Sequence, residues 1–447
     1  MAPLPASRLV AYGLLGFPLA ALNLPLYVYL PPFYAQDLGL GLGAVGAVLF
    51  AARLLDVITD PLIGEASDRL PTRFGRRRPW LVAACPVLVV SSWMLFVPGG
   101  AATLAGLFVW TCIAYLAWTA MILPYTALGA ELSPDHHERS RITGTREGFV
   151  ILGILFAAAL PSVLGLDAEA ATGRVLEALA VSMAVLVPLA LLALLLRVPE
   201  PAPEPEAELH FVTGLKVAFA NRAFLRLVGA YLLNGIANGL PATLFLLFVG
   251  HVIERPDLGG PLLLAYFLAG VIAIPGWLWL SRRIGKHRAW SAAMLWASLA
   301  FACVPLLGPG DVLPFFLICV LSGLSLGADL ALPASMQADV VDLDWARSGR
   351  RRTGLFFALW SMATKLSLAL AVGIAFPVLD LIGFQAGGGS GEGALLGLAV
   401  LYGLLPVAIK LLATAVVWNF PLGEASHADT LRRIRRRDAV PAGDPQS

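Results

Sequence analysis

The stretch AVLFAARLLDVITDPLIG (residues 47–64) places charged side chains inside an apolar run long enough to enter a membrane. Asp56 and Asp60 are four residues apart, so both carboxylates lie on one face if the segment is helical. A charge at the centre of a bilayer is costly unless it faces protein or water. The pair therefore predicts a cation or proton site. The alternative is a buried ion-pair network with Arg53 that only joins helices, and both can hold together.

The composition places this pair in a polytopic membrane protein. Hydrophobic residues make up 58% of the chain and charged residues 13%, whereas soluble domains contain about 25% charged residues. Apolar segments of about 20 residues are long enough to cross a bilayer as helices. Twelve such segments are predicted, near residues 9–34, 42–66, 80–98, 102–130, 147–166, 176–197, 223–250, 261–281, 288–307, 312–337, 354–384 and 394–419.

The connections between these segments alternate in charge. Lysine and arginine concentrate after the second, fourth, sixth, eighth and tenth segments and in the tail. The opposite connections contain almost none beyond Arg174 and Arg255. By the positive-inside rule both termini are cytoplasmic, and an even number of spans agrees with this. The sequence predicts a multi-pass protein of the inner (plasma) membrane.

The chain also repeats itself at about half its length. GEASDRLPTRFGRRRPW (64–80) follows the second segment and SRRIGKHRAW (281–290) follows the eighth. The stretch VPEPAPEPEAELH (198–210) between the halves favours an extended linker. This organisation predicts a two-bundle transporter with its substrate site near the midplane. The predicted parts are an N-terminal six-helix bundle (1–197), a cytoplasmic linker (198–222), a C-terminal six-helix bundle (223–420) and a basic cytoplasmic tail (421–447).

Several motifs together resemble one transporter family. Gly64, Asp68, Arg69, Arg73, Gly75 and Arg76–Arg78 form a pattern similar to the signature loop of the major facilitator superfamily. The D-x-x-T-D-P motif (56–61), ADVVD (338–342) and TGLFFALWSMATKL (353–366) resemble the glycoside–pentoside–hexuronide:cation symporters. The resemblance covers essentially the whole chain. It implies an all-α membrane protein with the major facilitator fold, in which twelve transmembrane helices form two pseudo-symmetric six-helix bundles.

The resemblance also implies a cation-binding set. In the family, two carboxylates, a polar residue between them and a hydroxyl from the fourth span hold the cation; here these are Asp56, Asp60, Thr59 and Thr119. These groups suit Na⁺, which prefers oxygen ligands, and the carboxylates suit a proton. Lys365 matches an intramembrane lysine of the family and is expected to face the Asp pair, where it can replace the cation. A snorkelling lysine is the alternative.

Further charged residues are given roles in substrate contact and gating. Arg146 matches a family arginine linked to the substrate site, and an anchor at the helix end is the alternative. Arg53 is expected to order the neighbouring helices as a charge partner of the acidic pair. State-dependent ion pairs on the cytoplasmic side are predicted for gating, with a solvated charge run as the alternative for Arg350–Arg352. The gating set is Asp68, Arg69, Arg73, Asp339 and Asp342.

The substrate site departs from the family pattern. Ala20 and Ile122 stand where the family's galactoside carriers have acidic residues, so a galactoside is not favoured. Asp329, inside the tenth segment, is either a replacement substrate or proton site or an acid buried against a polar helix face. The side chains predicted to line the cavity are Asn23, Tyr27, Tyr115, Trp118, Arg146, Asn234, Asn238, Asp329 and Trp360.

These observations predict a Na⁺- or H⁺-coupled symporter that works by alternating access. Its substrate is a glycoside-like or other small organic solute; the alternative is a lysolipid or other amphiphile, since vertebrate lysolipid symporters resemble the same branch. An enzyme is not predicted, because metal-ligand spacings, G-x-S-x-G and phosphate-binding glycine loops are missing from the sequence. No catalytic residue, no cofactor and no metal other than a coupling Na⁺ is expected. The expected partners are the substrate, the coupling cation and the lipid bilayer, and no nucleic acid. The protein is expected to be a monomer.

Overall fold

Twelve long apolar helices make up most of the protein, because a backbone inside a bilayer must satisfy its own hydrogen bonds. In this computed structural model the described residues are 4–69, 75–99, 102–133, 136–165, 171–200, 219, 221–348, 353–385 and 389–421. The helices are α1 (Ala6–Asp37), α2 (Leu42–Arg69), α3 (Arg78–Phe96), α4 (Leu104–Glu131), α5 (His136–Val163), α6 (Ala171–Arg197), α7 (Arg222–His251), α8 (Gly259–Ile284), α9 (Lys286–Ala302), α10 (Val312–Ser348), α11 (Thr353–Leu381) and α12 (Glu392–Trp418).

The twelve predicted spans are confirmed, and α5 and α10 extend furthest beyond their predicted bounds. α5 begins at His136, before the apolar part of its sequence, and α10 continues to Ser348. Hydropathy detects only the residues that favour hydrocarbon, whereas a helix continues into polar sequence as long as its backbone bonds are satisfied.

α1 is the least regular span. Wider π-helical turns occupy Pro25–Tyr29 and Phe33–Asp37, with Leu30–Pro32 between them. Proline has no backbone N–H and its ring clashes with the preceding turn, so it displaces the regular hydrogen-bond pattern. The irregular part faces other helices, and most of its side chains are buried.

Among the described residues, the main contacts between the two halves are those of α2 with α11, α5 with α8, and α1 with α7. Moving six helices along the chain converts α2/α11 into α8/α5, as a pseudo-two-fold relation requires. Close approaches mark one end of these pairs. Gly46 packs against Phe376, and Gly43 lies beside Asp380. At the same end Gly260 packs against Pro161.

The predicted linker and tail lie almost entirely outside the described residues, so their bounds remain predictions. Val198 to Glu200 are the linker residues nearest the first bundle that the structure describes.

Candidate cation and substrate site

The two carboxylates of α2 meet the lysine of α11 in the middle of the molecule. Lys365 Nζ lies 2.8 Å from Asp56 Oδ1 and 2.6 Å from Asp60 Oδ1. The three side chains are nearly inaccessible to solvent, with exposures of 7%, 1% and 9% for Lys365, Asp56 and Asp60. Lys365 is twelve residues from the start of α11, about 18 Å along the helix. The predicted contact between the lysine and the pair is therefore present.

α4 contributes a third oxygen to the same point. The Thr119 hydroxyl accepts a hydrogen bond from Lys365 Nζ at 2.9 Å. It lies 2.8 Å from Asp60 Oδ1 and 3.2 Å from Asp56 Oδ1, so it can donate to either carboxylate. Three oxygens from α2 and α4 thus surround one ammonium group from α11.

Arg53 completes the cluster from the side away from Lys365. Its guanidinium donates to Asp56 Oδ2 at 3.0 Å and to the Tyr27 hydroxyl at 2.8 Å. It also lies 3.9 Å from the centre of the Tyr115 ring, within the range of a cation–π contact. Arg53 on α2 therefore contacts α1 and α4, and its ordering role stays a prediction.

The cluster carries no net charge, since Arg53 and Lys365 balance Asp56 and Asp60. Buried ions are tolerated only when they are paired and hydrogen-bonded, and removing one partner leaves an uncompensated charge. The oxygens around Lys365 Nζ are carboxylate and hydroxyl oxygens, the type that a hard cation such as Na⁺ prefers. A small cation that replaces the ammonium would find its ligands already assembled.

Thr59 does not join these oxygens in the way the resemblance implies. Its hydroxyl donates to the backbone carbonyl of Asp56 at 3.1 Å, within its own helix. The half-exposed Thr59 side chain therefore has a local partner, as threonine hydroxyls in helices commonly do.

One aromatic side chain lies near the lysine, and a member of a stacked aromatic pair precedes it in α11. Lys365 Nζ lies 5.6 Å from the centre of the Trp118 ring, and the buried indole N–H of Trp118 has no hydrogen-bond partner among the described residues. Five residues before Lys365, Trp360 stacks on Tyr231 of α7 with ring centres 3.8 Å apart. A small cavity on the other side of the cluster is lined by Tyr27, Leu49, Arg53, Tyr115, Leu368 and Val372.

Asp329 lies in a separate polar cluster within the C-terminal half. Asn234 and Asn238 of α7 each donate to its carboxylate at 2.9 Å. Lys410 of α12, which is 1% exposed, donates to the oxygens of both asparagines. Lys410 was not predicted as a site residue, although it is, like Lys365, a lysine inside an apolar segment and could have been found on that ground.

Asn23 and Arg146 lie apart from these clusters. Asn23 is half-buried on α1. Arg146 pairs with Glu147 at 2.5 Å and lies close to Tyr12, one of the aromatic residues of α1. Of the predicted cavity residues, Tyr27 and Trp118 adjoin the Lys365 cluster, whereas Arg146 has its described ion pair elsewhere.

The family of the protein follows from a comparison with known sequences. A family model described as MFS/sugar transport protein matches residues 11–424. The chain belongs to this family. The predicted membership of the major facilitator superfamily is confirmed, and family and fold are those of multi-pass membrane transporters.

Individual members of the family resemble the chain over most of its length. The uncharacterized symporter sll1374 of Synechocystis is 27% identical, over 84% of this chain and 86% of the relative. Sodium-dependent lysophosphatidylcholine symporter 1 of Gallus gallus is 26% identical, over 91% and 83%. The sphingosine-1-phosphate transporter MFSD2B of Mus musculus is 26% identical, over 96% and 92%.

Solved structures share the fold. A bacterial homologue of the lysosomal transporter Spinster, in an inward-facing and unoccupied conformation, has a TM-score of 0.66 at 13% identity, covering 98% of this chain and 99% of that one. A D-xylose–proton symporter has a TM-score of 0.64 at 14% identity, covering 94% and 97%. The major facilitator fold is therefore confirmed.

The family's basic loops carry ion pairs at the end of the molecule opposite Gly43. Asp339 accepts from Lys286 at 2.6 and 2.8 Å, and Asp342 also has a partner. The side chains of Asp68 and Arg69, and Arg73 as a whole, lie outside the described part of the chain.

Glu131 and Glu200 hold the first of these loops. Neither carboxylate was predicted from the sequence. Glu131 of α4 pairs with Arg76 at 2.7 Å and Arg77 at 2.8 Å. Glu200, just after α6, accepts from the backbone N–H groups of Arg76, Arg77 and Arg78, where α3 begins. A carboxylate at a helix N-terminus satisfies N–H groups that have no partner in the helix.

Proposed function

We propose that the protein is a Na⁺-coupled symporter that works by alternating access. The observation that supports this most is the convergence of Asp56, Asp60 and Thr119 oxygens on Lys365 Nζ, across the interface between the halves. The cluster joins a cation-type ligand set on one half to a tethered cation on the other. Binding of Na⁺ therefore changes a contact between the halves.

In the proposed cycle Na⁺ and the Lys365 ammonium compete for the same oxygens. When Na⁺ occupies them, Lys365 leaves the pair, and the α2/α11 contact loses its buried ion pairs. An ion can shift a conformational equilibrium only if it binds one state more tightly than the other. Because Lys365 comes from the opposite half, its competition with Na⁺ depends on how the halves are arranged. Sodium-dependent relatives support Na⁺ over H⁺.

We assign the closed end of the molecule, marked by Gly43 and Gly260, to the outside. The basic loops around Arg77 and Lys286 lie at the opposite end, which the positive-inside rule puts in the cytoplasm, together with both termini. The halves then meet on the outer side, as expected for an inward-facing state.

Two classes of substrate fit this proposal. The first is a glycoside-like or other small organic solute, supported by the family description and by aromatic faces such as Trp360. The second is a lysolipid or related amphiphile, supported by relatives named for lysophosphatidylcholine and sphingosine-1-phosphate. Ala20 and Ile122, without the acids of galactoside carriers, favour the second class.

Replacement Asp60→Asn tests the cation site on the purified protein. The melting temperature is measured in NaCl and in choline chloride at equal ionic strength. We expect the wild type to be stabilised by Na⁺ and Asp60→Asn to lose this response, because a neutral amide replaces one of the two carboxylates. Asp257→Asn is the matched control, since Asp257 forms an exposed ion pair with Arg255.

Uptake into proteoliposomes then tests transport. The probes are labelled palmitoyl lysophosphatidylcholine and labelled methyl β-glucoside, each with and without an inward Na⁺ gradient. Na⁺-stimulated uptake of one probe, lost in Asp60→Asn and kept in Asp257→Asn, is expected. A wild-type Na⁺ response in Asp60→Asn would contradict the proposed site.

A further inference from the structure

The C-terminal half contains a buried polar cluster that the Na⁺ mechanism does not use. Asp329 Oδ1 accepts from Asn234 Nδ2 at 2.9 Å and from Trp290 Nε1 at 2.7 Å, and Oδ2 accepts from Asn238 Nδ2 at 2.9 Å. Lys410 Nζ donates to Asn234 Oδ1 at 2.8 Å and Asn238 Oδ1 at 2.6 Å. Four helices, α7, α9, α10 and α12, supply these side chains.

The contacts form a closed ring. Asn234 and Asn238 are one turn apart on α7, so both amides point the same way. Each amide presents its oxygen to the Lys410 ammonium and its nitrogen to the Asp329 carboxylate. The ring fixes the carboxylate in one orientation, because any rotation would break a hydrogen bond to a charged group.

The charges of this cluster balance without a ligand. Asp329 contributes one negative and Lys410 one positive charge, separated by the neutral amides. A cationic ligand would leave a net charge inside the membrane, which is costly. A neutral group that donates a hydrogen bond leaves the balance unchanged.

Asp329 and Asn238 are the members of the ring that are only half-buried. Lys410 is 1% exposed and Trp290 is fully buried, whereas the Asp329 side chain is only half-buried. A carboxylate oxygen accepts two hydrogen bonds. Among the described contacts, Oδ2 accepts only the one from Asn238, so it has room for a further donor.

Aromatic residues connect this carboxylate to the cation cluster. Tyr231 lies three residues, about one helical turn, before Asn234, whose amide donates to Asp329, and it stacks on Trp360. The Tyr231 hydroxyl is 3.0 Å from that of Thr364, which directly precedes Lys365. Tyr231 therefore links the helix that carries Asn234 and Asn238 to the part of α11 next to Lys365.

We propose that Asp329, held by Asn234, Asn238 and Trp290, is a hydroxyl-recognition site of the C-terminal half. It accepts a hydrogen bond from a hydroxyl of a substrate that is uncharged or zwitterionic at that end. A sugar ring and the glycerol of a lysolipid both supply such a hydroxyl. The inference rests on the proposed symport, whose cation site it leaves unchanged.

The experiment compares probes that differ by one hydroxyl. Binding to purified protein in NaCl is measured for palmitoyl lysophosphatidylcholine against its analogue without the glycerol hydroxyl, and for methyl β-glucoside against its monodeoxy analogues. In the wild type we expect the hydroxylated member of one pair to bind about tenfold to a hundredfold more tightly, as for a hydrogen bond to a charged acceptor. The pair that shows this preference identifies the source of the hydroxyl.

Asp329→Asn is expected to reduce this preference to less than about threefold, because the new amide presents an N–H where a donor must be accepted. The Na⁺-induced change in melting temperature should stay at the wild-type value, since Asp56, Asp60 and Thr119 are intact. Asp257→Asn is the control and should keep both properties. If Asp329→Asn does not fold, Asp329→Glu moves the oxygens by one methylene and should show the same loss.

Each outcome separates the two proposals. If Asp329→Asn lowers the melting temperature but keeps the preference, the ring only stabilises the bundle and the inference is wrong. Equal binding of both members of each pair by the wild type would also overturn it. If neither pair binds in Na⁺, or Na⁺ has no effect on the wild type, the symport proposal fails and this inference fails with it.

Discussion

Lys365 is held by three oxygens that belong to the other half of the protein, and each of them is also suited to a metal cation. In the proposed mechanism, Na⁺ binds to these oxygens only by displacing the Lys365 ammonium. Removing one partner of a buried ion pair leaves the remaining charge uncompensated, at a cost of about 3–5 kcal/mol. The residue therefore stabilises the empty cluster and opposes its occupation.

Lys365→Met is expected to bind Na⁺ at least about tenfold more tightly than the wild type, because the competing ammonium is gone. In choline chloride its melting temperature should fall, and NaCl should restore it. The measurement is a NaCl titration of the melting temperature. Lys286→Met, which removes a half-exposed lysine paired with Asp339, is the control. A wild-type titration curve for Lys365→Met would exclude competition.

The two threonines near the pair should differ. Thr119→Val removes an oxygen that lies within 2.9 Å of Lys365 Nζ and 2.8 Å of Asp60, and we expect about tenfold weaker Na⁺ binding. Thr59→Val removes a hydroxyl bonded to its own helix backbone, and less than about a twofold change is expected. The same NaCl titration compares them, and equal effects would show that Thr59 also reaches the ion.

The site residues that could be predicted from the sequence are those marked by helical spacing or by the cost of burying a charge in a membrane. Asp56 and Asp60 could be placed on one face because four residues make about one helical turn. The orientation of the Thr59 hydroxyl could not be predicted, because any threonine in a helix can donate to a backbone carbonyl of the preceding turn, and the sequence does not show which acceptor it uses. Asn234, Asn238 and Asp329 were predicted to line the cavity, but their contacts with Lys410 and Trp290 could not be predicted, because these partners come from distant helices.

The helices α2 and α11 approach each other so closely that glycine is needed where they meet. A Cβ atom on Gly46 would lie 2.6 Å from Phe376 Cβ, and one on Gly373 would lie 2.8 Å from Phe50. Contacts this short force the helices apart. The apolar segments predicted both helices, but their partners depend on side-chain shape across the two halves, which hydropathy does not contain.

Gly46→Ala is expected to separate α2 from α11 at the closed end. Alanine favours a helix by about 1 kcal/mol over glycine. Any weakening of the α2/α11 contact must therefore come from the steric clash with Phe376. We expect faster maleimide labelling of Leu49→Cys, a buried position one turn further inside. Gly276→Ala in α8, where a Cβ meets nothing within 4 Å, should leave the rate unchanged. Equal rates in all variants would mean that this contact does not close the molecule.

The whole molecule buries its membrane charges in two balanced clusters. The Asp56/Asp60 cluster is neutral when Lys365 and Arg53 complete it, and so is the ring that joins Asp329 to Lys410. The twelve spans could be predicted from their apolar residues alone, without reference to these charged clusters. In the proposed cycle, any net charge that moves across the membrane therefore comes from the bound ion and the substrate.

With one Na⁺ and one neutral or zwitterionic substrate, the cycle should move one positive charge inward. An interior potential of −100 mV contributes about 2.3 kcal/mol per charge, which is about a fiftyfold gain in accumulation at equilibrium. The measurement is uptake into proteoliposomes at equal Na⁺ on both sides, with a K⁺ diffusion potential set by valinomycin. Asp60→Asn, in which the cation site is impaired, is the control and should not respond. Uptake that ignores the potential in the wild type would mean that the substrate carries a compensating negative charge, which contradicts a neutral or zwitterionic cargo.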